Sequence, residues 1–150
     1  MSLALLGTRG EYLHSPVDDL ESFFWVALWS VVFHVKANPK LESEWNLREA
    51  LLRNSKGEAM QIFSNQLFGK KGCDDVMLRF QGVIDDWWKT VRDLNREWRL
   101  EVMESPPENA GSGYYLPHFH RFALRGVLDV LEVLEKHWNG EISWKSWTGP

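Results

Sequence analysis

Five stretches of the 150-residue chain carry apolar side chains at steps of three and four residues, which predicts helices. The first, at about residues 15–36, is apolar on all sides, so we expect protein to surround it. The others are predicted at about 43–53, 57–68, 76–98 and 117–137. No stretch shows the alternation typical of a strand. The pattern therefore predicts an all-α fold, with about five main helices around a buried central helix.

The start of the central helix carries its own capping signal. In Ser15-Pro16-Val17-Asp18, the Ser15 hydroxyl is expected to cap the helix and the Asp18 carboxylate to accept the N–H of Ser15. Asp19 has no comparable local role. At the root of a buried helix its charge would be desolvated, so we expect Asp19 to have a specific partner.

Two further pairs of adjacent carboxylates accompany the fourth helix. Asp74 and Asp75 precede it and are predicted to stabilise its N-terminal dipole. Asp85 and Asp86 are predicted on its solvated face, with Asp85 spaced to pair with Lys89 one turn later. Adjacent residues on a helix point in different directions, so neither pair is expected to act as a general acid and base on one substrate atom.

Composition narrows the class of protein. The length fits one domain over residues 1–150, and 44% hydrophobic residues are enough for a core. A net charge of −4 and the lack of a basic block argue against nucleic acid as a partner. No apolar run is long enough to span a bilayer, which argues against a membrane. A single cysteine, Cys73, favours an intracellular protein.

The residue types that perform catalysis do not fall into a working pattern. Segment 64–71 lacks the first glycine and the hydroxyl of a phosphate-binding loop, and 111–113 is predicted to be a linker. His118 and His120 diverge on a helix and have no further metal ligand at suitable spacing. His34 is predicted to be a hydrogen-bonded core histidine. We therefore predict no catalytic, cofactor-binding or metal-binding residue.

The string Asp18-Asp19-Leu20-Glu21-Ser22 with the aromatic residues after it resembles the start of helix F in the C-terminal lobe of eukaryotic protein kinases. It is similar to casein-kinase-like sequences and above all to the fungal-type protein kinase family. Residues 1–6 look like that family's segment after the activation loop. Downstream, Trp45, a long helix and a final helix with a His/Phe-rich start resemble helices G, H and I by order and pattern.

The resemblance implies a kinase-like C-terminal lobe in which Asp19 holds the catalytic loop by accepting its backbone N–H groups. The family transfers phosphate from ATP, with Mg²⁺, to Ser or Thr of proteins. Its glycine-rich loop, strand Lys, catalytic-loop Asp and metal-binding Asp precede helix F. We expect this chain to be a C-lobe fragment, from a truncated gene model or a genuine short product, without a cofactor of its own and inactive alone.

Two other interpretations remain open at this point. The chain carries nine Trp, and its aromatic stripes are also suited to a non-catalytic helical module that binds a protein partner through an exposed aromatic surface. Alternatively, the chain is an unrelated all-α protein in which the Asp-Asp-Leu-Glu-Ser string is a coincidence.

Overall fold

A computed structural model describes residues 15–104, 106–107 and 110–141. Every regular element in these residues is helical: α1 (Pro16–Val32), α2 (Glu42–Leu52), α3 (Lys56–Ile62), α4 (Asp75–Trp98) and α5 (Ser112–Glu141). Wider π-helical turns follow α3 and α4, over Phe63–Leu67 and Arg99–Met103. The predicted all-α class is confirmed. Residues 1–6, which resemble a kinase segment, lie outside the described residues.

Helix α1 ends at Val32, four residues before the predicted end. The Phe33 N–H donates to the Trp29 carbonyl at 2.9 Å, and the chain then leaves the helical path. His34 therefore lies in a turn, exposed, where its Nδ1 accepts the Lys36 N–H at 3.1 Å. The prediction of a core histidine is wrong. Apolar residues stand on both sides of His34, so the hydrophobic pattern does not show that the helix ends at Val32.

Helix α5 begins five residues earlier than predicted, so segment 111–113 is only partly a linker. The Gly111 carbonyl accepts the N–H groups of Tyr114 and Tyr115 in the first turn. The Tyr114 hydroxyl donates to the Glu101 carbonyl at 3.2 Å, which ties this turn to the end of α4. Pro117 lies inside the helix and lacks an N–H donor. With these contacts the first turn of α5 is helical, although its glycines and proline favour a turn.

The apolar interior forms two clusters, which share α1 and α4. The α2–α3 core contains the later part of α1, both short helices and the first half of α4, with Phe24, Leu28, Leu47, Phe63 and Ile84 almost fully buried. The α5 core contains the start of α1, the second half of α4 and α5, with Val17, Val91, Leu94, Trp98 and Phe122 buried. Trp87 packs against both clusters and so joins them.

The sequence predicts that protein surrounds helix α1, but the described residues do not cover it on all sides. Its neighbours α2, α4 and α5 cover only the side that carries Leu20, Phe24 and Leu28. On the opposite side Phe23 and Val26 are 64% and 63% exposed. The described residues therefore leave a long apolar surface on the outer side of α1. None of the described helices combines the length and the apolar character needed to cross a membrane.

Candidate functional site

The N-terminal end of α1 places the residues that the sequence singles out. The Ser15 Oγ accepts the Val17 N–H at 3.0 Å, and the Asp18 carboxylate accepts the Ser15 N–H at 2.9 Å. These two hydrogen bonds form a capping box, which fixes the first turn of the helix. Asp19 lies in the same turn and is exposed, so the expected desolvation of its charge is wrong for the described structure.

The outer face of α1 is apolar in effect along its whole length. Trp29, 42% exposed, continues the surface that Phe23 and Val26 begin. The two hydroxyls on this face, of Ser22 and Ser30, donate to carbonyls of their own helix at 2.9 and 2.7 Å. Because both hydroxyl hydrogens are already used, covering this face would leave neither donor unsatisfied.

An aromatic cluster with one guanidinium lies at the C-terminal end of this face. The rings of Trp29 and Phe33 stack with centroids 4.2 Å apart. The Arg48 guanidinium lies 5.6 Å from the Phe33 ring and 5.3 Å from the Trp45 ring, and it donates to the Val32 carbonyl at 2.8 Å. No carboxylate among the described residues forms an ion pair with Arg48, although Glu44 and Asp74 line the same small cavity, so the face ends in a preoriented cation.

A charged groove of about 570 Å³ runs between α4 and α5. Lys136 Nζ lies 2.7 Å and His137 Nε2 2.8 Å from the Asp86 carboxylate. These two contacts, first that of Lys136, hold the pKa of Asp86 below its usual 3.8. Asp85 forms the predicted ion pair with Lys89. The placement of Asp85 and Asp86 on a solvated face is wrong, because Asp85 is 8% exposed and α5 packs beside Asp86.

His118 and His120, near the start of α5, have different surroundings. His118 Nδ1 lies 3.7 Å from the Glu101 carboxylate and its ring packs on Tyr114, while His120 is exposed. Within the part of the chain that the structure describes, no group of three or more His, Cys, Asp or Glu residues could hold a metal ion. Burial raises the pKa of the Cys73 thiol, so this side chain is not an activated nucleophile.

A buried junction of two carboxylates, Glu44 and Asp74, joins α2 to the start of α4, and the sequence pattern does not predict it. Glu44, 3% exposed, accepts the N–H groups of Lys40, Leu41 and Asp74 at 2.8 to 2.9 Å. Asp74 lies directly before α4 as predicted, and it caps the helix by accepting the Val76 N–H at 2.8 Å. The only sequence signal for Glu44 is its position in the first turn of a helix, which does not indicate burial.

Two more donors reach the Asp74 carboxylate, from the backbone N–H groups of Asn38 at 2.6 Å and Met77 at 3.3 Å. Burial by itself would raise the pKa of Asp74, but these N–H donors and that of Val76 outweigh it and hold the pKa below 3.8. The junction is thus satisfied internally and serves the fold, whereas the part of the chain that the structure describes leaves the outer face of α1 uncovered.

Searches of protein-family models, of curated proteins and of solved structures find no match to this chain. We therefore choose the candidate functional surface from the geometry of the structure alone. It is the outer face of α1, with Asp19 at one end and Arg48 at the other.

Proposed function

We propose that this chain is the helical C-lobe portion of a fungal-type protein kinase, with α1 as the scaffold helix of the lobe. The observation that carries the proposal is the unequal covering of α1. Its inner side holds the other helices, while its outer side offers Phe23, Val26 and Trp29 to a further segment. A scaffold helix that supports a catalytic segment needs an apolar face of this kind.

Asp19 fits a positioning role in this arrangement. It lies exposed in the first turn of α1, three and four residues before Ser22 and Phe23. A carboxylate in that position can accept backbone N–H groups of a segment laid over the outer face, and such charge-assisted hydrogen bonds are about twice as strong as neutral ones. Asp19 would then fix the geometry of a catalytic loop without touching the substrate.

These 150 residues would not transfer phosphate by themselves. Phosphoryl transfer depends on groups that cradle the nucleotide phosphates, hold Mg²⁺ and orient the attacking hydroxyl. The described residues contain no cluster of three metal ligands, and the sequence contains no glycine-rich nucleotide loop. In this proposal the chain N-terminal to α1 in the parent kinase supplies those groups, and ATP and Mg²⁺ bind there.

The 5′ end of the transcript provides the first test. We expect an in-frame extension upstream of Met1 that encodes a glycine-rich loop, a strand Lys, a catalytic-loop Asp and a metal-binding Asp. A stop codon directly upstream of Met1 would refute the proposal.

In the extended protein, Asp19→Ala should lower kcat for protein phosphorylation by about 100-fold, the size of effect that misplacing reacting groups produces. ATP affinity should stay the same, because Asp19 does not touch the nucleotide. Glu42→Ala is the matched control, since it removes an exposed carboxylate from the first turn of α2. Equal activities of the Asp19 variant and the control would contradict the positioning role.

A non-catalytic interaction module is the second candidate, and Arg48 favours it. A cation held between two aromatic rings at the end of an apolar face is suited to a partner segment that carries a carboxylate beside apolar side chains. A purified chain that binds no apolar dye would contradict this candidate. An upstream stop codon combined with dye binding that Val26→Asp weakens would favour it over the kinase fragment.

A further inference from the structure

Helix α5 carries a second apolar surface. Its members are exposed leucine and valine side chains spaced three and four residues apart, so they form one stripe along the helix. We call it the α5 stripe: Leu124 (64% exposed), Val127 (47%), Leu128 (51%), Leu131 (54%) and Leu134 (38%).

The α5 stripe is not needed for the packing of the fold itself. The face of α5 that meets the interior carries Phe122 and Val130, both buried, and Gly126, whose backbone approaches Leu20 of α1. The apolar residues of the stripe lie to one side of that face and remain in solvent. A helix whose apolar surface exceeds what its own core uses presents the excess to another molecule.

The charged edge of α5 does not point to a charged partner either. Its basic residues already pair with carboxylates, three of which lie on α4 or the turn after it. These pairs are Arg121 with Glu101, Arg125 with Glu97 and Asp129, and Lys136 with Asp86. With these cations already paired, a matching apolar helix is the partner that best fits the stripe.

The stripe is large enough to form most of a stable interface. With Trp138, which is 39% exposed at the same side of the helix, it presents on the order of 600 Å² of surface, against about 800 Å² per partner in a standard interface. This lies at the upper end of the roughly 300–600 Å² that the largest apolar patch on a monomer covers, and such patches are often functional. Rim residues such as His120 and Glu135 add to this surface when two helices meet.

Three residues of the stripe, Leu128, Leu131 and Leu134, are self-complementary about Leu131, while Val127 would face the aliphatic part of Glu135. A two-fold axis through Leu131 places two copies of α5 antiparallel and brings Leu128 opposite Leu134 on both sides of the axis. Glu135 lies four residues from the axis, so its two copies are about 12 Å apart and repel each other little. We propose that a second copy of this chain binds to the α5 stripe, through an antiparallel pair of α5 helices. This inference does not depend on the proposed kinase origin.

Analytical ultracentrifugation of the full chain over the micromolar range tests the proposal. We expect a reversible dimer, whose dissociation constant Leu131→Asp raises at least about 100-fold, because two carboxylates would meet at the axis. Leu52→Asp is the matched control, since Leu52, at 64% exposure, is about as exposed as Leu131 (54%) but lies at the end of α2. Its dimer should be as strong as that of the unmodified chain. Circular dichroism checks that each variant keeps its helices.

Cross-linking tests the register without a charge in the stripe. Leu131→Cys should form a disulfide-linked dimer readily, because the two copies meet at the axis. Leu124→Cys should not, since its two copies would lie about 21 Å apart. Cys73 is 1% exposed and does not interfere.

Three results would overturn the proposal. The first is a chain that stays monomeric throughout the micromolar range. The second is a dimer that survives Leu131→Asp but dissociates with Val26→Asp, which would place the interface on the outer face of α1. The third is equal cross-linking of the two cysteine variants, which would exclude the two-fold register.

Discussion

The polar groups at the edges of the two cores differ in their burial and in their hydrogen-bond partners. At the edge of the α2–α3 core, Glu44 and Asp74 are 3% and 4% exposed, and their carboxylates accept backbone N–H groups. Between α4 and α5, at one edge of the α5 core, the polar groups are side chains with opposite charge, many of them about half exposed. Examples are the pairs of Glu101 with Arg121 and Glu97 with Arg125.

The difference predicts where the fold is sensitive. A buried acceptor that loses its side chain leaves N–H donors that water replaces poorly, so the cost is large. A half-exposed ion pair is screened by solvent and is worth about 0–1 kcal/mol. We therefore expect the junction around Glu44 to tolerate substitution far less than the charged groove, although the groove contains more ionised groups.

The largest effect is expected from Glu44→Ala. This change removes the acceptor of the N–H groups of Lys40, Leu41 and Asp74, and should lower the free energy of unfolding by about 2–4 kcal/mol. Urea unfolding followed by circular dichroism measures the difference.

Glu49→Ala is the control for this experiment, because Glu49 lies on the same helix and is exposed. Its free energy of unfolding should stay within about 0.5 kcal/mol of the unmodified chain. If the two variants unfold at the same urea concentration, the junction does not hold the α2–α3 core together.

Glu44 and Asp74 also show which structural roles can be predicted from the sequence and which cannot. Asp74 is predictable, because a carboxylate before a helix serves the N–H groups of the following turn. Glu44 is not, because its role depends on the Asp74 N–H, which is 30 residues away in the chain. The same limit applies to α1, whose all-round apolar pattern indicates full burial. The helices were predictable from local spacing, whereas the uncovered side of α1 depends on which helices are present to pack on it.

A smaller loss of stability is expected from Gly126→Ala, at the contact between α5 and α1. A Cβ at Gly126 would lie 2.2 Å from Leu20 Cδ1 and 3.3 Å from Leu94 Cδ1, so Gly126→Ala forces buried side chains to move. We expect the free energy of unfolding to fall by about 1–3 kcal/mol, as overpacking usually costs. Thermal and urea unfolding of the variant measure the loss.

A double-mutant cycle isolates this contact. In a Leu20→Ala background the obstacle is gone, so Gly126→Ala should be neutral or should stabilise through the higher helix propensity of Ala. Gly113→Ala is the matched control in the first turn of α5, where a Cβ would meet nothing within 4 Å. An equal loss from Gly126→Ala in both backgrounds would show that the close approach of Leu20 is not its cause.

The smallest effect should come from the charged groove. Asp86→Asn weakens the contacts to Lys136 and His137 that connect α4 to α5, and its side chain is one-quarter exposed, so solvent screening limits the loss to about 1–2 kcal/mol at neutral pH. Urea unfolding at pH 7 compares the variant with the unmodified chain. Lys71→Met, which removes an exposed charge distant in sequence from the groove, should change the stability little.

The pH dependence of that loss distinguishes the ionised contact from mere packing. Because the native pKa of Asp86 lies below 3.8, its carboxylate binds a proton more readily in the unfolded chain, and its contribution to stability is complete above the unfolded pKa. As the pH falls below about 4 and through the native pKa, that contribution disappears. The stability difference between the unmodified chain and Asp86→Asn should therefore shrink between about pH 5 and pH 2, as urea unfolding at each pH would show.

Asp74 and Glu101 also have a lowered pKa, but they titrate in both proteins and cancel in the difference. A difference that stays constant down to pH 2 would mean that Asp86 acts through shape and neutral hydrogen bonds, and the contrast between the two cores would then rest on burial alone.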